Sequence, residues 1–162
     1  LPPIELLYNT NENIKKIAEA TQAMWKENLG VHIPILNQEW KVMLDNQAQG
    51  NFSMVRAGWT ADFNDPVAFL EMLMTGNPNN HSGWSNAKFD ELMKKAASEM
   101  NQKRRHKFFA EAEAILMDEV PVLPIYYYKR ITLRSPNVKG WYNNVENYHT
   151  LKELYLDTEK KH

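Results

Sequence analysis

Val55-Arg56-Ala57-Gly58-Trp59-Thr60-Ala61-Asp62-Phe63-Asn64-Asp65-Pro66 opens like a buried strand and closes like the start of a helix. Asp65 is an acceptable N-cap, and Pro66 suits the first helical position because its missing N–H is one that a helix start leaves unbonded anyway. The turn between them carries an aromatic plate, Trp59, and a carboxylate, Asp62, that the helix does not require as its cap. Strand-to-helix turns in α/β proteins lie outside the carboxyl ends of strands, where ligands are usually met. Asp62 is therefore the leading site candidate. Two structural alternatives stand beside it: an Asp in a turn commonly bonds its own backbone, and a Trp after a strand commonly belongs to the core.

Working outward, strand and helix signals alternate on both sides of this stretch. Ile4 to Tyr8 reads as a strand closed by Asn9-Thr10. Asn11 or Thr10 then caps a helix with Ile14, Ile17, Ala18, Thr21, Met24 and Trp25 on its inner face, and Gly30 ends it. Val31 to Leu36 reads as a second strand, and Pro34 within it suggests an edge or a bulge. Lys41 to Gln49 reads as a short helix with Val42, Met43 and Leu44 inward, followed by the expected central strand Phe52 to Ala57. A strand–helix–strand order favours parallel strands and a right-handed crossover.

Beyond Pro66, a helix carrying Val67, Phe69, Leu70, Leu73 and Met74 gives way to an irregular Gly-, Asn- and Pro-rich loop, residues 75–85. Phe89, Leu92, Met93 and Ala96 are spaced for one helix. Phe108, Phe109, Ala112, Ile115 and Leu116 are spaced for the next, and the two form a helical hairpin. Ile125-Tyr126-Tyr127-Tyr128 has the composition of a strand. Ile131 to Leu133 and Leu154 to Leu156 are weaker strand candidates.

Composition narrows the function classes. The 162 residues are 43% hydrophobic and 24% charged with a formal net charge of −1, which suits a globular domain and leaves no electrostatic footprint for nucleic acid. The one basic run, Lys103-Arg104-Arg105, reads as a solvated helix face. With no cysteine there is no disulfide framework, thiolate metal site or cysteine nucleophile. No apolar stretch approaches the roughly 20 residues of a membrane span. His32, His81, His106, His149 and His162 lack ligand spacing, and no serine-elbow, phosphate-loop or zinc-helix motif is present. The start at Leu1-Pro2-Pro3 is expected to be a cut within a longer protein.

Six segments then stand in a telling order: Leu7-Tyr8-Asn9-Thr10; Trp25-Lys26-x-Asn28-Leu29-Gly30; Asn37-Gln38-Glu39-Trp40-Lys41; Arg56-Ala57-Gly58-Trp59-x-Ala61-Asp62; Asn79-Asn80; and Val122-x-Pro124-Ile125-Tyr126-Tyr127-Tyr128. In this order they resemble the bacterial periplasmic oligopeptide-binding proteins, solute receptors of ABC importers, and the likeness to the C-terminal part of those receptors runs along essentially the whole chain. It implies an α/β fold, a type II periplasmic-binding-protein-like lobe with a mixed sheet flanked by helices. Residues 1–140 would form part of the C-terminal peptide-binding lobe, and residues 141–162 would return toward the other lobe. It implies a receptor rather than an enzyme, periplasmic or otherwise extracytoplasmic, with no cofactor or metal. Its partners would be an oligopeptide, the remaining lobe and the membrane subunits of the importer.

By the same resemblance, Asp62 binds the peptide α-ammonium, which fits the physics: a buried ammonium must meet a carboxylate or lose its hydration uncompensated. Backbone groups from Gly58 to Thr60 would pair with the peptide main chain, giving affinity without reading sequence. Trp40 and Trp59 would wall side-chain pockets, and Arg56, Asn79 and Tyr128 complete the expected site. Relatives can carry Arg or His where this chain has Gln47 and Ile14, and those cations help receive the peptide's C-terminal carboxylate. Both positions are neutral here, leaving Arg56, which could equally pair with a neighbouring carboxylate. A receptor for a dipeptide, a murein peptide or a non-peptide solute is the near alternative. A hydrolase or signalling domain on the same scaffold is the distant one.

Overall fold

The structure, a computed structural model, describes residues 4–144 and 148–157. Leu1-Pro2-Pro3, His162 and the rest of the charged tail lie outside them. The chain falls into two compact units, residues 1–59 with 72–90, and residues 60–71 with 91–162.

The first unit is built on β1 (Leu6–Asn9), α1 (Glu12–Leu29), β2 (Ile35–Gln38), α2 (Trp40–Gln49) and β3 (Met54–Val55). The strands form a parallel sheet in the order β2-β1-β3, with Leu6 opposite both Ile35 and Met54. All four residues of β1 are buried, as a parallel strand with neighbours on both sides requires. Leu6, Tyr8 and Ala18 form the core, with Ile14, Trp25, Ile33, Ile35 and Met54 packed against them. Asn11 caps α1 by accepting from the backbone N–H groups of Asn13 and Ile14. Gly30, at φ 67°, ends α1 in the left-handed conformation and donates its N–H to the Lys26 carbonyl.

Three expectations are corrected here. The strand expected at Phe52–Ala57 is central and buried in neither sense: β3 is two half-buried residues at one edge, and β1 is the middle strand. Its ladder reaches one bond further, Arg56 N–H to the Leu7 carbonyl at 2.8 Å, before the chain leaves the sheet. Val42 and Leu44 are exposed while Met43 is buried, because consecutive helical residues point about 100° apart and cannot share one inner face. Met24 is likewise exposed. Of the edge or bulge expected from Pro34, the edge is found, but β2 begins one residue after Pro34 rather than at Val31, and Pro34 contributes only its carbonyl, to Leu6 N–H.

The loop of residues 75–85 is irregular but pinned. One amide, Asn80 Nδ2, donates to the carbonyls of Leu73, Met74 and Trp84 at 2.9–3.3 Å. Trp84 then meets Phe89 edge-on, ring centroids 5.1 Å apart, and Phe89 is fully buried.

The second unit holds α3 (Val67–Leu70), most of α4 (Ala87–Ser98), all of α5 (Gln102–Glu119), β4 (Val138–Lys139), a 3-10 turn (Leu151–Glu153) and β5 (Tyr155–Leu156); another 3-10 turn (Glu71–Leu73) follows α3, its last two residues counted in the first unit. α3 packs on α5, and Ala68, Leu92, Met93, Ala96, Phe109, Ala112 and Leu116 are buried. The helix expected to carry Val67 through Met74 lasts only four residues before a 3-10 turn takes over, and Phe69 within it is exposed. α5 ends at Val120 with φ 49°, uncommon for a β-branched residue, where the following Pro121 disfavours the ordinary helical conformation. β4 and β5 pair antiparallel, Val138 opposite Leu156. Gly140 beside them sits at φ 79°, and a Cβ there would lie 1.8 Å from the Glu153 carbonyl oxygen.

Ile125–Tyr128 and Ile131–Leu133 are not strands among the described residues. Tyr127 and Leu133 are 95% and 96% exposed, so the β-prone composition finds no neighbouring strand to complete its hydrogen bonds. Tyr126 and Tyr128 do lie on one side, in edge-to-face contact at 5.0 Å, as strand-like alternation requires.

Candidate functional site

Because the three strands are parallel, their carboxyl ends share one edge, and the first unit sets its candidate residues there. Trp40 opens α2 two residues after β2, and Arg56, Gly58 and Trp59 follow β3. Trp40 and Trp59 are exposed, Trp59 by 38%, so neither is the core residue that Trp after a strand commonly is. Gly58 and Thr60 are exposed, and Arg56 is half-buried. Asn79 lies in the pinned loop, its N–H held by Asn77 Oδ1 and its side chain exposed. Tyr128 is exposed in the irregular segment of the second unit.

Asp62 belongs to the second unit, in a run of bends between Ala61 and Pro66. It is exposed, and its carboxylate takes no hydrogen bond or ion pair among the described residues. The backbone-bonded turn role is therefore absent, and the charge stands available to a cation.

Asp65 does what Asp62 is spared. Its Oδ1 accepts from Val67 N–H at 2.9 Å, capping α3. Both carboxylate oxygens also accept from Arg105, Nη1 to Oδ2 and Nη2 to Oδ1. The Arg105 hydrogen bond, aided by the Val67 N–H and opposed by burial, holds the Asp65 carboxyl below its ordinary range, and Arg105 is raised above its own. The reading of Lys103-Arg104-Arg105 as a solvated face is thus corrected for Arg105, whose side chain is only 17% exposed. A charge run cannot reveal that one of its members turns inward toward an acid 40 positions away.

Asn9 also escaped notice as more than a strand end. It is 9% exposed at the carboxyl end of the middle strand, and its Oδ1 has no hydrogen-bond partner among the described residues. Buried polar atoms are normally hydrogen-bonded, so this one adds a polar group to the carboxyl edge of the sheet. Among the described residues no cluster of His, Cys, Asp or Glu could hold a metal ion.

Comparison with known proteins gives the chain its relatives. The sequence profile described as "Bacterial extracellular solute-binding proteins, family 5 Middle" matches residues 1–81. The chain is 40% identical over 154 residues to the periplasmic murein peptide-binding protein MppA of Escherichia coli (strain K12), covering 94% of this chain and 29% of MppA. It is 42% identical over 141 residues to the oligopeptide-binding protein OppA of Bacillus subtilis (strain 168), covering 86% and 26%. Among solved structures, the unliganded open form of MppA superimposes with a TM-score of 0.84 at 40% identity, covering 94% of this chain and 30% of that one. Haemophilus influenzae OppA in complex with RPPGFSPFR gives 0.82 at 34% identity, with the same coverage. The chain thus spans less than a third of the length of each of these relatives.

Proposed function

Since this chain belongs to the bacterial extracellular solute-binding proteins of family 5, with their type II periplasmic-binding-protein fold, we propose that it forms part of the C-terminal lobe of a receptor that binds oligopeptides and delivers them to an ABC importer. Residues 1–140 contribute the peptide-binding portion and residues 141–162 lead back toward the other lobe. The receptor works outside the cytoplasmic membrane and performs no chemistry on its ligand.

The observation that carries this reading is Asp62, an exposed carboxylate with no partner among the described residues, in the run of bends that leads from the chain after β3 into α3. It anchors the peptide α-ammonium. Backbone groups of Gly58, Trp59 and Thr60 pair with the peptide main chain, and Trp40 and Trp59 wall the side-chain pockets. Arg56, Asn79 and Tyr128 complete the contacts. Main-chain pairing supplies affinity that tolerates many side chains, and the charge pair sets the register. Gln47 and Ile14 are neutral, so the C-terminal carboxylate is received by Arg56 or by the rest of the receptor. A second reading, a receptor for murein peptides, is favoured by the 40% identity to MppA. Both readings use the same ammonium anchor.

Mass spectrometry of small molecules released from the purified full-length receptor tests the proposal. Peptides with free amino termini are the expected finding. A non-peptide solute recovered in stoichiometric amount would overturn it.

A further inference from the structure

We infer that Arg105 is a positioning residue for the ammonium-binding carboxylate Asp62, acting through Asp65. The inference rests on the assignment of Asp62 as the ammonium anchor and adds what holds that anchor in place.

The turn bearing Asp62 has little structure of its own. Residues 62–65 are bends, and the one internal backbone bond runs from Asp65 N–H to the Phe63 carbonyl at 3.0 Å. The Asp62 side chain makes no bond among the described residues, so its place is set by the backbone alone. Three residues downstream that backbone becomes rigid. Asp65 caps α3 through Val67 N–H, its carbonyl accepts from Ala68 N–H at 3.1 Å, and Arg105 grips its carboxylate with two arms. Three residues of chain span at most about 11 Å, so a fixed Asp65 confines where the Asp62 carboxylate can go.

Arg105 is itself over-determined. Its Nε donates to the Ala96 carbonyl near the end of α4 at 3.2 Å, and its guanidinium lies over the Phe109 ring, 4.7 Å from the centroid. Phe109 is buried in α5. One side chain thus ties the turn to the ends of two helices, all within the second unit. A planar guanidinium suits this task because its two parallel N–H groups fix the direction of a carboxylate as well as its distance. An anchor charge ordered before the ligand arrives loses less freedom on binding than one that must be ordered by it.

The test is a double-mutant cycle in the full-length receptor, using one tetrapeptide with a free amino terminus and its N-acetyl form. Asp62→Asn should weaken binding of the free peptide strongly. Arg105→Met should weaken it about five- to tenfold, the cost of ordering one or two side chains on binding, and should leave binding of the acetylated peptide unchanged. In the Asp62→Asn background the Arg105→Met effect should vanish, because both changes then act on one interaction. Asp65→Asn, which keeps an oxygen for Val67 and surrenders the charged pair, should reproduce the Arg105→Met pattern and serves if that variant does not fold. An Arg105 effect that persists undiminished beside Asp62→Asn, or that is equal for the acetylated peptide, would make Arg105 a general scaffold residue and overturn the inference. No effect of Arg105→Met in a folded receptor would do the same. No effect of Asp62→Asn would instead overturn the anchor assignment, and the positioning role with it.

Discussion

Replacing Asp62 by Asn in the full-length receptor is expected to weaken binding of a tri- or tetrapeptide by more than about 2 kcal/mol, roughly thirtyfold in Kd, the scale for removing one side of a desolvated, hydrogen-bonded charge pair. The substitution preserves shape and removes only charge. The unfolding midpoint should barely move, because the carboxylate is exposed and has no partner among the described residues. Asp65 shows the contrast. It sits three residues away, is the same residue type, and is engaged by α3 and Arg105, so losing its charge should register in stability. Calorimetric titration beside a thermal melt separates the two kinds of aspartate. Weakened binding with an unshifted melt is the expected result for Asp62.

Phe89→Ala is expected to cost about 3–5 kcal/mol of folding stability, the range for truncating a buried aromatic side chain. Phe89 is fully buried at the start of α4 and receives Trp84 edge-on. Truncation removes both the transfer free energy of the ring and the aromatic contact, and leaves a cavity that the pinned loop closes poorly, because Asn80 holds Trp84 by its carbonyl. Phe89→Leu should cost much less, since it keeps most of the volume. Denaturant midpoints of the two variants check this, and a Phe89→Ala variant as stable as the parent would contradict the packing described.

What the sequence revealed follows from which signals are local. Caps are local, and Asn11, Gly30 and Asp65 act where their residue types and neighbours place them. Helical periodicity is nearly local, and Phe89, Leu92, Met93, Ala96, Phe109, Ala112 and Leu116 are all buried as their spacing requires. Strand order is not local. The apolar Phe52–Ala57 run looks like a middle strand, yet β3 lies at an edge, because sheet position depends on which strands pair and not on any one composition. The same holds for Ile125–Tyr128, where three tyrosines have strand propensity without a strand to pair with among the described residues.

The proposed site draws on chemistry that the sequence shows, and its support on packing that the sequence does not. Asp62 stands out as a candidate because Asp65 makes a second carboxylate unnecessary to the helix, and the resemblance carried by six ordered motifs proposes Trp40, Arg56, Gly58, Trp59, Thr60, Asn79 and Tyr128 beside it. Arg105 could not be singled out, since its partner is 40 positions away and its neighbours are exposed lysine and arginine. Asn9 could not either, because burial of a polar atom at a strand end is a property of packing.

The most direct measurement is titration of one tetrapeptide, free and N-acetylated, into the full-length receptor under identical buffer. Acetylation removes the ammonium and leaves every side chain and nearly all of the main chain in place. If Asp62 anchors the amino terminus, the acetylated peptide binds at least about tenfold more weakly, a loss of 1.4 kcal/mol or more, while exchanging the second or third side chain changes affinity little. Equal affinities for the two forms would contradict the account.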